Sequence, residues 1–164
     1  MIVDCLIGLQ RGDEAKGKIS KVLDDKNNYS AIIKFNGSGN AGHAVWLEDK
    51  KYTAHYLTSG IYNKDCKIVI GPGCVLNVKE FLTEFELFDG EFSLKGRTFI
   101  HPYTHIITSE HLDEDHKETK IGTTNKGNVP CYSDKYQRTG KRAESIEELK
   151  EFILPDNIVK DIFK

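Results

Sequence analysis

The chain has 164 residues, with 23 lysines and arginines against 25 aspartates and glutamates, for a formal charge of −2. That near balance excludes a protein that coats nucleic acid, which needs a basic excess, and no apolar run approaches the ~20 residues of a membrane helix. The length suits one domain, residues 1–164, with a substantial core.

The N-terminus lacks the basic region of a signal peptide, so the expected location is the cytoplasm. The cysteines, Cys5, Cys66, Cys74 and Cys131, form no Cys-x-x-Cys pair and read as reduced thiols. Residues 2–9 are apolar and β-branched and predict a buried strand. A polar glycine loop follows, then a helix from Gly17 to about residue 26 with Ile19, Val22 and Leu23 on one face. Residues 31–35 predict a second strand. Residues 44–47 and 52–57, around the polar turn 48–51, predict an antiparallel hairpin with Trp46, Tyr52 and Tyr56 in packing roles. A short buried strand over 67–70 is closed by Gly71-Pro72-Gly73, and 78–88 has helical periodicity. Residues 98–100 predict a strand. Ser145 with Glu148 forms a capping-box pattern for a helix over 145–152, and Pro155 separates it from a last helical stretch. Strands and helices intermix around one hairpin, which is an α/β pattern. The last helical pattern runs to Lys164 without a closing feature, which fits a chain that stops before a larger fold is complete.

Three loops carry chemistry. Gly12-Asp13-Glu14-Ala15-Lys16-Gly17-Lys18 satisfies G-x-x-x-x-G-K, between a predicted strand and a predicted helix. In that setting glycine-loop N–H groups, a helix N-terminus and a lysine can surround phosphate oxygens. The Ser or Thr that normally holds Mg²⁺ is replaced by Ile19, which leaves Asp13 as the candidate metal ligand. The other reading is a solvated turn whose Asp13 and Glu14 favour the helix start.

The second loop, Asn36-Gly37-Ser38-Gly39-Asn40-Ala41-Gly42-His43, also follows a strand. Its small residues let backbone approach a ligand, and His43 could donate a proton near neutral pH. Alternatively it is a flexible approach to the hairpin with a surface histidine. The third stretch, around Gly122, Thr123, Thr124, Lys126 and Arg138, combines hydroxyls, glycine and basic residues that suit a phosphate monoester. Alternatively it is a solvated loop balanced by Glu110, Asp113, Glu114 and Asp115. His101 and His105 flank Pro102 and read as structural, not as a shared metal face.

Together the three loops resemble adenylosuccinate synthetase, the GTP-dependent ligase that joins IMP and aspartate. Gly8 to Lys18 resembles the family's opening signature, Asn40-Ala41-Gly42-His43 is identical to its second, and Ile121-Gly122-Thr123-Thr124 is similar to its third. Ser59-Gly60-Ile61, Ile70-Gly71-Pro72-Gly73 and Asp134-Lys135-x-x-Arg138 resemble connecting segments.

The resemblance implies an α/β fold with a mostly parallel central sheet, P-loop-like nucleotide-binding loops and a β-hairpin insertion. It implies Mg²⁺ as cofactor, GTP as co-substrate, IMP and L-aspartate as partners, and a homodimer. Asp13 would be the general base at N1 of IMP and, with the Gly42 carbonyl, a metal ligand. His43 would be the acid near O6. Gly12, Asp13, Glu14, Ala15, Lys16, Gly17, Lys18 and Gly42 would hold GTP. Lys16, Asn40, Ala41 and Thr124 would contact IMP, and Arg138 would reach the IMP phosphate of a neighbouring subunit.

Two residues depart from the family pattern: Arg11 stands in place of Trp and Ala15 in place of Gly, where a methyl group restricts φ. A viral branch of the family works on dGMP and has a smaller residue at the loop aspartate; Asp13 is retained here, which favours IMP. Segments that read guanine and hold aspartate have no equivalent after Arg142. The implied protein is therefore a ligase of this kind, as an N-terminal portion or a minimal form that needs a partner chain; the alternatives are a truncated or partner-dependent purine-nucleotide-binding module without ligase activity of its own, and a truncated product with no function.

Overall fold

Parallel strands organise the fold. The computed structural model describes residues 3–10, 14–47, 49–117 and 124–162. β1 (Ala31–Gly37) and β5 (Thr98–Ile100) pair in parallel with opposite edges of a central β4 (Lys67–Leu76), and β6 (His105–Ile106) extends β4's far end, also in parallel. β2 (His43–Leu47) and β3 (Lys50–Ala54) form the antiparallel hairpin. α1 (Lys16–Asn27), α2 (Val78–Phe92), α3 (Ser109–Lys117), α4 (Asn128–Gln137) and α5 (Asp156–Ile162) complete the described elements. This is the expected α/β arrangement with a parallel sheet and a hairpin.

β4 runs through Gly71-Pro72-Gly73 instead of ending there. The register with β1 shifts between Lys34 and Asn36, and Pro72 is exposed at this irregularity, where a missing N–H costs no ladder bond. A Cβ on Gly73 would collide with the Phe35 carbonyl oxygen, so the close approach at the shift requires glycine.

α2 begins at Asn77, whose side chain accepts from Glu80 N–H, and presents Phe81, Glu84, Phe85 and Phe88 to the core. Phe81, Phe85 and Phe152 pack edge-to-face or tilted at centroid distances of 4.8–6.2 Å. Tyr52, Tyr62, Phe88 and Phe92 form a second aromatic group. Arg97, 9 % exposed, donates to the carbonyls of Gly60, Ile61, Asn63, Cys66, Phe92 and Ser93.

Several expectations are corrected. Residues 3–8 form no strand: Leu9 and Gln10 give their N–H groups to Glu14, and Asp4 bonds the Tyr29 hydroxyl. The expected apolar face of α1 is not buried, since Ile19 and Val22 are exposed while Asp24 is covered. Residues 143–152 form 3₁₀ turns, not an α-helix. Ser145 Oγ donates to the Arg142 carbonyl instead of capping Glu148. Trp46 is 60 % exposed, whereas Tyr52 and Tyr56 are core residues. The second hairpin strand ends at Ala54, short of the expected residue 57. All four cysteines are free thiols, with Cys5 exposed and the rest buried. Among the described residues, no helix is long and apolar enough to cross a membrane.

Candidate active site

The site is built where the second glycine loop turns from β1 into the hairpin and meets the start of α1. Gly17 lies in the first turn of α1, directly against His43: a Cβ there would fall 2.5 Å from His43 Cβ. This approach, and not backbone freedom, is why glycine stands inside a helix. It brings the first and second loops together.

His43 Nε2 donates to the Leu57 carbonyl at 2.6 Å. The tautomer follows, because a carbonyl can only accept: the proton is on Nε2, and Nδ1 makes no hydrogen bond among the described residues. Burial pushes the imidazole below the usual histidine pKa, and the Leu57 bond partly offsets this.

The wall behind His43 is charged and buried. Glu84 accepts from the N–H groups of His55 (2.9 Å), Tyr56 (3.0 Å) and Leu57 (2.8 Å). Lys34 Nζ donates to the carbonyls of Ser38 (2.7 Å) and His55 (2.6 Å), and burial lowers its pKa. His55 packs on Gly42, and its buried Nδ1 has no partner among the described residues.

The first loop wraps Glu14. Its carboxylate accepts from Leu9 and Gln10 N–H and from Lys16 Nζ at 2.8 Å, and the Lys16 bond is the main cause of its lowered pKa. Ala15 has φ 56, the left-handed value that a methyl group disfavours. Lys18 lines a shallow groove of about 400 Å³ with Lys21, Val22, Val45 and Trp46. Gly12, Asp13 and the third motif through Thr123 lie outside the described residues.

Asn40, Ala41, Gly42 and Thr124 are exposed. Arg138 sits at the C-terminal end of α4 with φ 65, and its guanidinium makes no hydrogen bond or ion pair among the described residues. Two ties hold the third motif's surroundings to the second loop. The Tyr132 hydroxyl accepts from Gly37 N–H (3.1 Å) and lies 3.1 Å from the Gly73 carbonyl. Lys126 pairs with Glu80, which also accepts from the Tyr56 hydroxyl. The sequence reading missed Lys34, Glu84 and Tyr132. Glu84 had a visible signal, a carboxylate on the apolar stripe of Phe81, Phe85 and Phe88.

Comparison with known proteins decides the family. The family model for adenylosuccinate synthetase matches residues 5–158. The chain belongs to the adenylosuccinate synthetase family. It is 38 % identical over 154 residues to adenylosuccinate synthetase of Helicobacter hepaticus, covering 90 % of this chain and 36 % of the relative. It is 40 % identical over 141 residues to the enzyme of Thermodesulfovibrio yellowstonii, covering 84 % and 33 %. The chain thus spans about a third of the length of these family members. The fully ligated adenylosuccinate synthetase of Plasmodium falciparum superposes with a TM-score of 0.77 at 33 % identity, over 95 % of this chain and 37 % of that one. Succinoaminodeoxyadenylate synthetase of cyanophage S-2L shares the fold, with a TM-score of 0.75 at 20 % identity, over 94 % and 45 %. The family match over residues 5–158 includes all three loops.

Proposed function

We propose that this chain takes part in GTP-dependent ligation of IMP and L-aspartate to adenylosuccinate, in the cytoplasm. The observation that carries the reading is the contact of Gly17 with His43, which joins the two signature loops at the start of α1. Asp13 takes the N1 proton of IMP, and O6 receives the γ-phosphoryl group of GTP. The aspartate amine then displaces phosphate at C6. A poor leaving oxygen becomes a good one, and catalysis rests on positioning and charge neutralisation.

As the imidazolium, His43 would keep its Nε2–H on the Leu57 carbonyl and donate its Nδ1–H to the charge that develops near O6. Gly12, Asp13, Glu14, Ala15, Lys16, Gly17, Lys18 and Gly42 hold GTP. Lys16, Asn40, Ala41 and Thr124 hold IMP. Arg138, exposed at the end of α4, reaches the IMP phosphate across a homodimer.

Asp13 and the Gly42 carbonyl would hold Mg²⁺, which supplies charge neutralisation for the phosphates. Both are hard oxygen donors.

The test is a ligation assay on the purified chain with GTP, IMP, aspartate and Mg²⁺, followed by ultraviolet absorbance, with Asp13→Asn as control. Turnover that vanishes in the control supports the reading. Turnover that persists in Asp13→Asn removes the role given to Asp13. A second reading is a purine-nucleotide-binding module that ligates nothing alone or needs a separate chain. Nucleotide binding without turnover supports that reading, and restored turnover on adding the remaining part of a family member supports a partner chain.

A further inference from the structure

We infer that Glu84 is a positioning residue for His43, acting through the backbone of residues 55–57. Its importance for catalysis rests on the reading of His43 as the acid; the geometry does not.

Glu84 is 9 % exposed and projects from the buried face of α2. Its two oxygens accept from three successive N–H groups, those of His55, Tyr56 and Leu57. The chain leaves β3 at Ala54, so these amides have no strand ladder to satisfy them. A buried carboxylate takes that place with charge-assisted bonds, which are the strong ones.

With the amides turned to Glu84, two carbonyls of the same segment are fixed as acceptors. That of His55 takes Lys34 Nζ, and that of Leu57 takes His43 Nε2–H. Lys34 closes the device: it also holds the Ser38 carbonyl of the second loop, and its charge faces that of Glu84. His43 is therefore set from behind by an acceptor whose position Glu84 determines, and from the front by Gly17. Removing the carboxylate frees three buried amides, and the segment must turn to satisfy them. The Leu57 carbonyl moves with it, and the imidazole loses its fixed plane.

The His43 imidazole N–H reports this without any ligand. In the folded chain at about pH 8, above the ordinary histidine pKa, nitrogen-15 spectra should show a hydrogen-bonded, slowly exchanging Nε2–H, assigned by its loss in His43→Gln. In Glu84→Gln, which keeps one acceptor oxygen and the side-chain shape, that proton should exchange on the order of tenfold faster or disappear. Glu91→Gln, on the same helix but bonded to Lys50 and Tyr52, should leave it unchanged.

An unchanged His43 resonance in folded Glu84→Gln overturns the inference, as does an equal loss in Glu91→Gln. If Glu84→Gln does not fold, hydrogen exchange in the unmodified chain decides. The amides of residues 55–57 and the imidazole N–H should then open together. An imidazole N–H that exchanges while those amides stay protected separates His43 from Glu84 and overturns the inference. None of these readouts needs nucleotide, so a chain without ligase activity leaves the result standing, and a failed result leaves the ligation reading untouched.

Discussion

The two flanks of the sheet are built differently. On the β4–β5 side, α2 closes over an aromatic core in which Phe81, Ile70, Ile100 and Leu149 have no measurable exposure. On the β1 side, residues 3–6, α1 and β1 surround an open cavity of about 650 Å³ lined by Leu6, Leu23, Ile32 and Phe35. There Val3 is 72 % exposed, Val22 64 % and Phe35 49 %. The difference separates the two halves of the site. The second loop leaves β1 but is tied to what lies around it: Lys34 holds its Ser38 carbonyl, Tyr132 bonds Gly37, and the Leu57 carbonyl, on the segment that Glu84 holds, takes His43. The first loop and α1 rest on fewer contacts: Ser20 with Ser59 at 2.7 Å, Asp24 with Asn63 at 3.2 Å, and Gly17 against His43. His43 is therefore pre-positioned, while the phosphate-loop side has apolar surface still uncovered.

The largest expected effect tests whether the packed flank depends on its buried cation. Arg97→Leu leaves the carbonyls of Gly60, Ile61, Asn63, Cys66, Phe92 and Ser93 without that donor. Buried acceptors that lose a charged partner are costly, so a loss of about 4 kcal/mol is expected from urea unfolding. A loss below about 1 kcal/mol would show that aromatic packing alone holds this flank.

Acid should act on both flanks in two stages. Burial lowers the pKa of His43, His101 and His105. Each folded value lies below the unfolded value of about 6.5, so between the two the unfolded chain binds more protons. Stability is thus fully present above about pH 6.5 and falls as pH drops through the folded values. Glu14, Glu91 and Asp134 have pKa values lowered chiefly by bonds to Lys16, Lys50 and His111, respectively. Their stabilisation is present above the ordinary carboxylate range and is lost below it. Urea midpoints measured from pH 8 down to 4 should fall first through the histidine window. His43→Asn should remove only its share of that first fall. A flat profile down to about pH 5 contradicts the assignment.

The same contrast explains what was legible in the sequence. Where apolar spacing and burial agree, as in β4, α2 and β5, the elements were readable. The capping Asn77 and the stripe of Phe81, Phe85 and Phe88 leave little choice. Residues 2–9 have strand composition, yet the described part joins no ladder, and Leu9 at its end gives its N–H to Glu14. α3 buries His111 and Asp115, so its helical period is carried by polar residues and escapes a hydrophobic pattern. α4 starts at a left-handed Gly127 and holds Pro130 in its first turn, which read as loop signals. In the site, the loops were legible from glycine, lysine and histidine spacing. The carboxylate and lysine that hold them were not, because their partners are backbone groups far away in sequence.

A smaller effect is expected inside the first loop. Ala15 adopts φ 56, where a Cβ crowds the backbone. Ala15→Gly should relieve that crowding and offset the extra freedom glycine brings to the unfolded chain, for a net gain of roughly 0.5–1 kcal/mol. The midpoint of urea unfolding reads it directly. A loss of stability would mean that the left-handed turn is not held in solution, and that the first loop is looser than its bonds to Glu14 imply.

The smallest expected effect is the most direct test of the open flank. Val22 lies on the face of α1 that sequence periodicity marks as a core face, yet it is 64 % exposed. Valine and serine have similar helix propensities, so Val22→Ser changes little except burial. If the side chain faces water, unfolding should shift by less than about 0.5 kcal/mol. If α1 packs its apolar face against something in solution, the same substitution should cost about 1–2 kcal/mol, as burial of a valine implies. Repeating the measurement over a wide range of protein concentration separates the sources. A cost that grows with concentration comes from association, whereas a constant cost comes from the chain closing on itself.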